Sequence, residues 1–245
     1  MSAADATRAA PLGRPRLHLL RTSSTSDRAR ELAAAGAPHG TLVTACEQTA
    51  GRGRQGRRWS APPGSALLMS LVLRWRAPQR VPQLLPLMAG LAVCDVAGEH
   101  ALLKWPNDVV IAREAGLAKL AGILVEGRPQ EGWSVLGIGL NVAVSIEQLP
   151  RELHASAATL DRPRAEIEPT LDAVLAALER RLSEPAPATL RAFRERDALR
   201  GRAISWASGS GRAEGIDGDG RLVVALRGGG RTALAAGEVH LQAAG

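Results

Sequence analysis

Lysine is nearly missing from this chain of 245 residues. Of its 31 basic residues only two are lysines, Lys104 and Lys119, and the rest are arginines. Lysine is ordinarily among the commonest residues, so the composition is biased toward arginine. A position that keeps lysine is a candidate for work needing a compact, movable point charge rather than a planar fork. Aromatics are also scarce, with five Trp, one Phe and no Tyr, which leaves Ala, Leu, Val and Ile to build the core. The two cysteines, Cys46 and Cys94, fit neither a metal spacing nor a disulfide framework; free thiols suit a reducing compartment. No uninterrupted apolar run approaches the roughly 18 residues of a transmembrane helix. The N-terminus has basic residues but lacks the apolar stretch of a secretory signal. The expectation is a cytoplasmic protein with no membrane contact.

Acid is absent from one long stretch. Between Glu47 and Asp95 there is no Asp or Glu, while seven arginines (Arg52, Arg54, Arg57, Arg58, Arg74, Arg76 and Arg80) lie there. The chain's net charge of +7 is therefore located in this segment, and the remainder is balanced. A local positive patch suggests an anionic ligand held at one place. A nucleic-acid footprint would spread the excess more broadly.

The remaining pattern reads as alternating strands and helices. Residues 1–15, rich in Ala, Arg, Pro and Gly, are expected to be a mobile tail. Strands are expected at Arg16–Leu20, Thr41–Gln48 and Ala66–Trp75, with a helix from Ser26 to about Ala35 capped by Thr25 or Ser26. Thr49–Gly64 reads as a polar Gly/Arg loop. Leu84, Leu87, Met88, Leu91 and Val96 have helical spacing and predict the main buried helix over Val81–Glu99. Strands follow at Leu102–Trp105, Val109–Ala112, Leu117–Glu126 and Trp133–Val142, then helices at Ile167–Leu182 and Ala188–Leu199. Near Arg200 the character changes. Five short strands (Arg202–Trp206, Arg212–Ile216, Arg221–Leu226, Thr232–Ala235 and Glu238–Gln242) are split by Gly-rich turns and suggest a small barrel or sandwich. The domains expected are 16–199 and 200–245.

Four segments carry chemistry. Gly51–Trp59, GRGRQGRRW, formally matches G-x-G-x-x-G. However, Pro62-Pro63 follows and no acid appears before Asp95, so the dinucleotide reading fails. Its glycines let backbone amides approach an anion, and its arginines offer bidentate donors to carboxylate or phosphate. Lys104-Trp105-Pro106-Asn107-Asp108 combines a cation, an aromatic, a rigid turn, an amide and a carboxylate. Asp108 could hold Mg²⁺ that bridges phosphates; a local Asx-type turn would also explain Asn107 and Asp108. Lys119 sits in an otherwise apolar strand, with Gly122 allowing close backbone approach. Gly137–Val142 ends an apolar strand at Asn141, where small residues suit a flat ligand and the amide offers donor and acceptor to a heterocycle.

Together with Ser24-Thr25, Gln48 and Gly237-Glu238-Val239, these segments, in this order, resemble the biotin protein ligases, or biotin–[acetyl-CoA-carboxylase] ligases. The resemblance runs from about residue 16 to the C-terminus. It implies an α+β fold: a mixed-sheet, class II synthetase-like catalytic domain followed by a small C-terminal SH3-like β-barrel. It implies that ATP and biotin are substrates, with Mg²⁺, and that the partner is a biotin carboxyl carrier protein or domain of acetyl-CoA carboxylase or a related carboxylase. By resemblance, Ser24, Thr25 and Gln48 bind the biotin ring; Gly51 and Arg52 lie at biotin and the adenylate; Arg54 restrains the adenylate and Trp59 packs near adenine. Asn107 and Asp108 lie at the nucleotide and metal, Lys119 lies at the biotin carboxylate and α-phosphate, Gly122 gives a backbone contact to biotin, and Asn141 contacts adenine. Lys119 and Arg54 are the catalytic pair.

One departure is Ser26, where family members usually have Asn. Bifunctional members carry a winged-helix DNA-binding domain before the Ser-Thr motif; too few residues precede it here, so no DNA binding is expected. A homodimer is compatible with the sequence. The competing readings are lipoate or octanoate transfer on a related fold, which the Arg loop and ring residues disfavour, and a nucleic-acid factor, which the localised charge disfavours. The direct role of Lys104 is open: it begins a diagnostic motif and could orient the Asn107-Asp108 turn.

Overall fold

The computed structural model describes residues 11–75, 83–114, 116–235 and 237–242. Seven strands form a mixed sheet: β1 (Arg16–Thr22), β2 (Leu42–Gln48), β3 (Ala66–Arg74), β4 (Ala101–Lys104), β5 (Asp108–Arg113), β6 (Gly116–Arg128) and β7 (Trp133–Asn141), in the order β1-β2-β3-β7-β6-β5-β4. The β1–β2 pair is parallel and the other pairs are antiparallel. Parallel neighbours need a crossover, and helix α1 (Thr25–Ala34) supplies it.

Strand β3 shows how the sheet divides its two faces. Leu67, Met69, Leu71 and Leu73 enter the main core, whereas Val72 packs with Ala29 and Ala33 of α1, and Ala66 and Leu68 pack with Val144, Leu149 and Ala157. Both faces are covered, so the strand reads as a nearly continuous apolar run, burying ALLMSLVL. The core face carries α2 (Leu85–Ala97), α3 (Ile167–Ser183) and α4 (Ala186–Arg196). Helix α2 begins at Leu85, with Pro86 in its first turn, and ends at Gly98, whose φ of 98° stops it. The expected start at Val81 falls on residues 76–82, outside the described set.

Two local expectations change. Ser24, not Thr25 or Ser26, caps α1: it is extended and its side chain accepts from Asp27 N at 3.4 Å. The expected tail does not reach residue 15, because Leu12 is buried, its N–H donates to Glu179 Oε1 at 2.7 Å, and Gly13 N donates to Gly40 O. Residues 1–10 lie outside the described set.

The five C-terminal strands are β8 (Ala203–Trp206), β9 (Gly209–Ile216), β10 (Leu222–Leu226), β11 (Arg231–Leu234) and β12 (His240–Leu241). They form a second, antiparallel sheet in the order β11-β10-β9-β8-β12. It is not a separate core. Ile204, Ala213, Ile216, Leu222, Val224 and Val239 join the main apolar cluster, and Trp105 Nε1 donates to Gly220 O at 2.9 Å. No helix among the described residues is long and apolar enough to cross a membrane.

Candidate functional site

A cavity of about 270 Å³ opens on the α1 face of the large sheet. Its floor is made by missing side chains. Gly122 on β6 pairs with Gly139 on β7, and Gly137 lies two residues along β7. The Trp59 indole lies against this floor: a methyl group at Gly139 would sit 2.5 Å from Trp59 Cε2, and one at Gly122 would sit 3.2 Å from Trp59 Cζ3. A side chain at Gly137 would meet Ser26 Oγ at 2.8 Å.

Lys119 reaches the same face through an irregularity. Gly122 lies three positions further along, with two residues between, so a regular strand would place the two on opposite faces. The β5–β6 register shifts between Val109 and Val110, which pair with Ala121 and Lys119 respectively. The extra residue is Leu120. Leu120 and Ala121 both enter the core, while Lys119 Cε lies 3.2 Å from the Cβ position of Gly122. The bulge thus re-aims the lysine, a common use of bulges beside active sites. Lys119 Nζ lies 2.7 Å from Asp108 Oδ1 and 5.7 Å from the centre of the Trp59 ring. The lysine backbone also pairs with the far wall: its N–H donates to Ser156 O, and its carbonyl accepts from Ala158 N.

At one end of the cavity, side-chain hydroxyls form a chain. Ser26 Oγ and Ser70 Oγ are 3.1 Å apart, Ser70 Oγ donates to Thr25 Oγ1 at 2.9 Å, and Gln48 Oε1 accepts from Thr25 N and Oγ1 at 2.7 and 3.1 Å. With its oxygen engaged, Gln48 keeps its amide hydrogens for other partners. Ser70 was not read from the sequence. Ser26, read there as a cap candidate and as a departure from the family pattern, belongs to this chain. At the other end, Asn107 Nδ2 donates to Ile123 O and its Oδ1 accepts from Arg54 Nη1 at 3.0 Å. Asn141 also lines the cavity, and its Nδ2 donates to Ala158 O at 2.8 Å.

The Gly51–Trp59 loop folds on itself. Arg52 and Arg58 form a β-bridge around a 3₁₀ turn at Arg54–Gly56, where Gln55 takes a φ of 54°. Gly51 is packed so closely that a Cβ would lie 2.4 Å from Trp59 O. The arginines then tie the loop outward: Arg52 to Asp27 at 3.0 Å and Glu126 at 2.9 Å, Arg54 to Asn107, Arg57 to Glu238 at 2.6 Å, and Arg58 to Thr49 O at 2.6 Å.

Of the residues singled out in the sequence, Thr25, Gln48, Arg52, Arg54, Trp59, Asn107, Lys119, Gly122 and Asn141 line the cavity. Ser24, Gly51 and Asp108 stand behind it, as a helix cap, a loop hinge and the counter-charge of Lys119. Burial draws Arg54 below the ordinary arginine value, with Asp108 opposing. Burial also lowers Lys104, against the pull of Asp108 and Glu238. Asp108 is a single carboxylate engaged by an ammonium, and no group of three His, Cys, Asp or Glu among the described residues is arranged to hold a metal. Chemically, the site offers a flat floor of glycines, side-chain amides from Gln48, Asn107 and Asn141, and cations from Lys119 and the loop arginines. This suits a planar or bicyclic ligand with an anionic centre.

Comparison with known proteins agrees with that geometry. The sequence model of the Biotin/lipoate A/B protein ligase family matches residues 19–142. The bifunctional ligase/repressor BirA of Bacillus subtilis is 41% identical over 152 residues, 59% of this chain and 45% of that protein. The biotin–[acetyl-CoA-carboxylase] ligase of Mycobacterium tuberculosis is 40% identical over 148 residues, 57% of this chain and 52% of that protein. The chain thus spans about half the length of the curated relatives it matches. Among solved structures, the Aquifex aeolicus biotin protein ligase in complex with biotin and ATP superposes with a TM-score of 0.76 at 27% identity, covering 94% of this chain and 99% of that one. The matched segment runs through β1 to β7 and so contains the hydroxyl chain, the arginine loop, the glycine floor, Lys119 and Asn141. The chain belongs to the biotin/lipoate A/B protein ligase family.

Proposed function

We propose that the chain is an ATP-dependent biotin protein ligase. It would activate biotin as biotinyl-5′-AMP and transfer biotin to a lysine of a biotin carboxyl carrier protein. The observation that carries this reading is the single cavity in which the Thr25–Gln48 end, the glycine floor, Lys119, Arg54 and Asn141 converge.

The chemistry follows from the positions of the charges. A carboxylate is a poor electrophile. In the first step a biotin carboxylate oxygen attacks the α-phosphorus of ATP and the bond to pyrophosphate breaks. Lys119 and Arg54 stand where negative charge gathers during that attack, and preorganised charge in a dry site is worth most there. Asp108 fixes the Lys119 ammonium from behind. The hydroxyl chain orients Gln48 toward the ring's polar edge, and Asn141 offers its oxygen to the base. In the second step the acceptor's lysine nitrogen attacks the acyl carbon, an amide forms and AMP leaves. Until then water must be kept from the mixed anhydride, a task for the arginine loop and Trp59. Asp108 alone does not build a metal site, so Mg²⁺ would arrive on the phosphates of ATP, and the chain's own cations do the electrostatic work.

The proposal extends to residues 16–199 as a class II synthetase-like catalytic domain and 200–245 as an SH3-like barrel, in a cytoplasmic enzyme. A homodimer fits the same reading. Pyrophosphate exchange with biotin, lipoate and octanoate in parallel tests the core claim. Biotin-dependent exchange is expected. Exchange driven by lipoate or octanoate instead would move the chain to the other branch of its family.

A further inference from the structure

Of the loop's outward ties, one crosses to the connection between β11 and β12. Arg57 Nη1 donates to Glu238 Oε1 at 2.6 Å. Glu238 immediately precedes Val239, which is buried in the common core, so this carboxylate is carried on a fixed support. Its charge also acts on Arg54 and Lys104. Glu238 itself lies outside the cavity wall, whereas Arg57 lines it.

We infer that Glu238 is a positioning residue for the nucleotide: through Arg57 it holds the arginine loop in the pose that presents Arg54 and Trp59 to the cavity. The inference rests on the ligase reading. The ion pair is half-exposed, with side-chain exposures of 50% for Arg57 and 34% for Glu238. Pairs of that kind contribute little to folding. The same pair acts differently on a loop with few apolar anchors, where it decides which conformation is populated before ligand arrives. If it is lost, the ordering of the loop is charged against binding. The effect therefore falls on nucleotide affinity and on retention of the adenylate. The chemical step is spared, because Glu238 touches no reacting atom.

The test uses the full chain and the variants Glu238→Gln, Arg57→Glu, Glu238→Arg and the double swap. Three readouts are needed: biotin-dependent exchange kinetics, melting temperature, and the rate of tryptic cleavage within Arg52–Arg58 without ligand. For Glu238→Gln the KM for ATP should rise roughly two- to fivefold with kcat little changed, as expected for loss of one partly exposed ion pair. Tryptic cleavage should accelerate, melting should be unchanged, and the double swap should recover most of the KM lost by either reversal. Unchanged KM and unchanged cleavage would overturn the inference. So would a fall in kcat at constant KM, or a lowered melting temperature that the swap fails to rescue. Absence of exchange in the wild-type chain would refute the ligase reading instead, while the cleavage arm would still report on the clasp.

Discussion

The floor of the cavity and the loop above it solve the same problem by opposite means. The floor is glycine on paired strands, where a single added methyl meets the Trp59 indole at 2.5 Å. The loop is arginine on glycine hinges, each guanidinium tied by polar contacts to a different part of the molecule. The floor determines shape through close packing, which tolerates no extra volume. The loop determines charge and closure through partly exposed contacts that cost the fold little when lost. Substitutions in the floor should therefore show up in both folding and binding, and substitutions in the loop mainly in ligand handling.

Lys119 belongs to the floor by position and to the loop by chemistry, and its loss should have the largest effect. Lys119→Ala should lower biotin-dependent exchange by about two to three orders of magnitude, as for removal of a transition-state donor; near-normal exchange in a folded variant removes Lys119 from the reaction. Next comes Gly139→Ala. Forcing the indole off the floor should cost roughly 1–3 kcal/mol of stability and weaken ligand binding, measured by chemical denaturation and biotin titration. Adding Trp59→Ala should relieve the clash and recover the stability; a Gly139→Ala chain that folds and binds normally would break the contrast from the floor side.

Arg54→Gly tests the loop side. Melting should stay close to wild type, while release of biotinyl adenylate should quicken roughly tenfold for one lost charge-assisted hydrogen bond. Promiscuous labelling of added protein amines reads that release, and tight retention would contradict it. The smallest effect separates both regions from the shared core. Burial pushes the Cys94 thiol up to about 12, from an ordinary value of 9.0. A folded value above the unfolded one gives stability that is complete below pH 9 and lost as pH rises toward 12. Cys94→Ala should flatten that alkaline decline in a pH series of melting curves without altering the ligand site; an unchanged slope would show that Cys94 does not titrate on unfolding.

Most strands and the main helices were legible because their apolar spacing is regular. The loop, the Lys104–Asp108 turn and the glycine strand were legible because glycine, proline and arginine mark special backbone and charge. What escaped was the geometry that regular spacing cannot encode. A period of two predicts Lys119 and Gly122 on opposite faces; only the bulge that absorbs Leu120 brings them together. The wall formed by Leu149, Leu153, Ser156 and Ala157 is built of short 3₁₀ turns with no periodic signature. Ser70 looked like one small residue in an apolar strand, and its hydroxyl gained meaning only beside Thr25 and Ser26. Glu238 lies far along the chain from Arg57, and no local pattern could have paired them.

The bulge in β6 makes the pairing between Lys119 and Gly122 as consequential as their identities. Flattening the bulge with every residue kept would restore an even pleat, leave a foldable sheet and swing the ammonium into the apolar layer. With only one other lysine in the chain, no neighbouring amine stands ready to take its place. A redesign that recombines segments across this strand has to carry the bulge intact, or it will keep every diagnostic residue and lose the ammonium from the cavity.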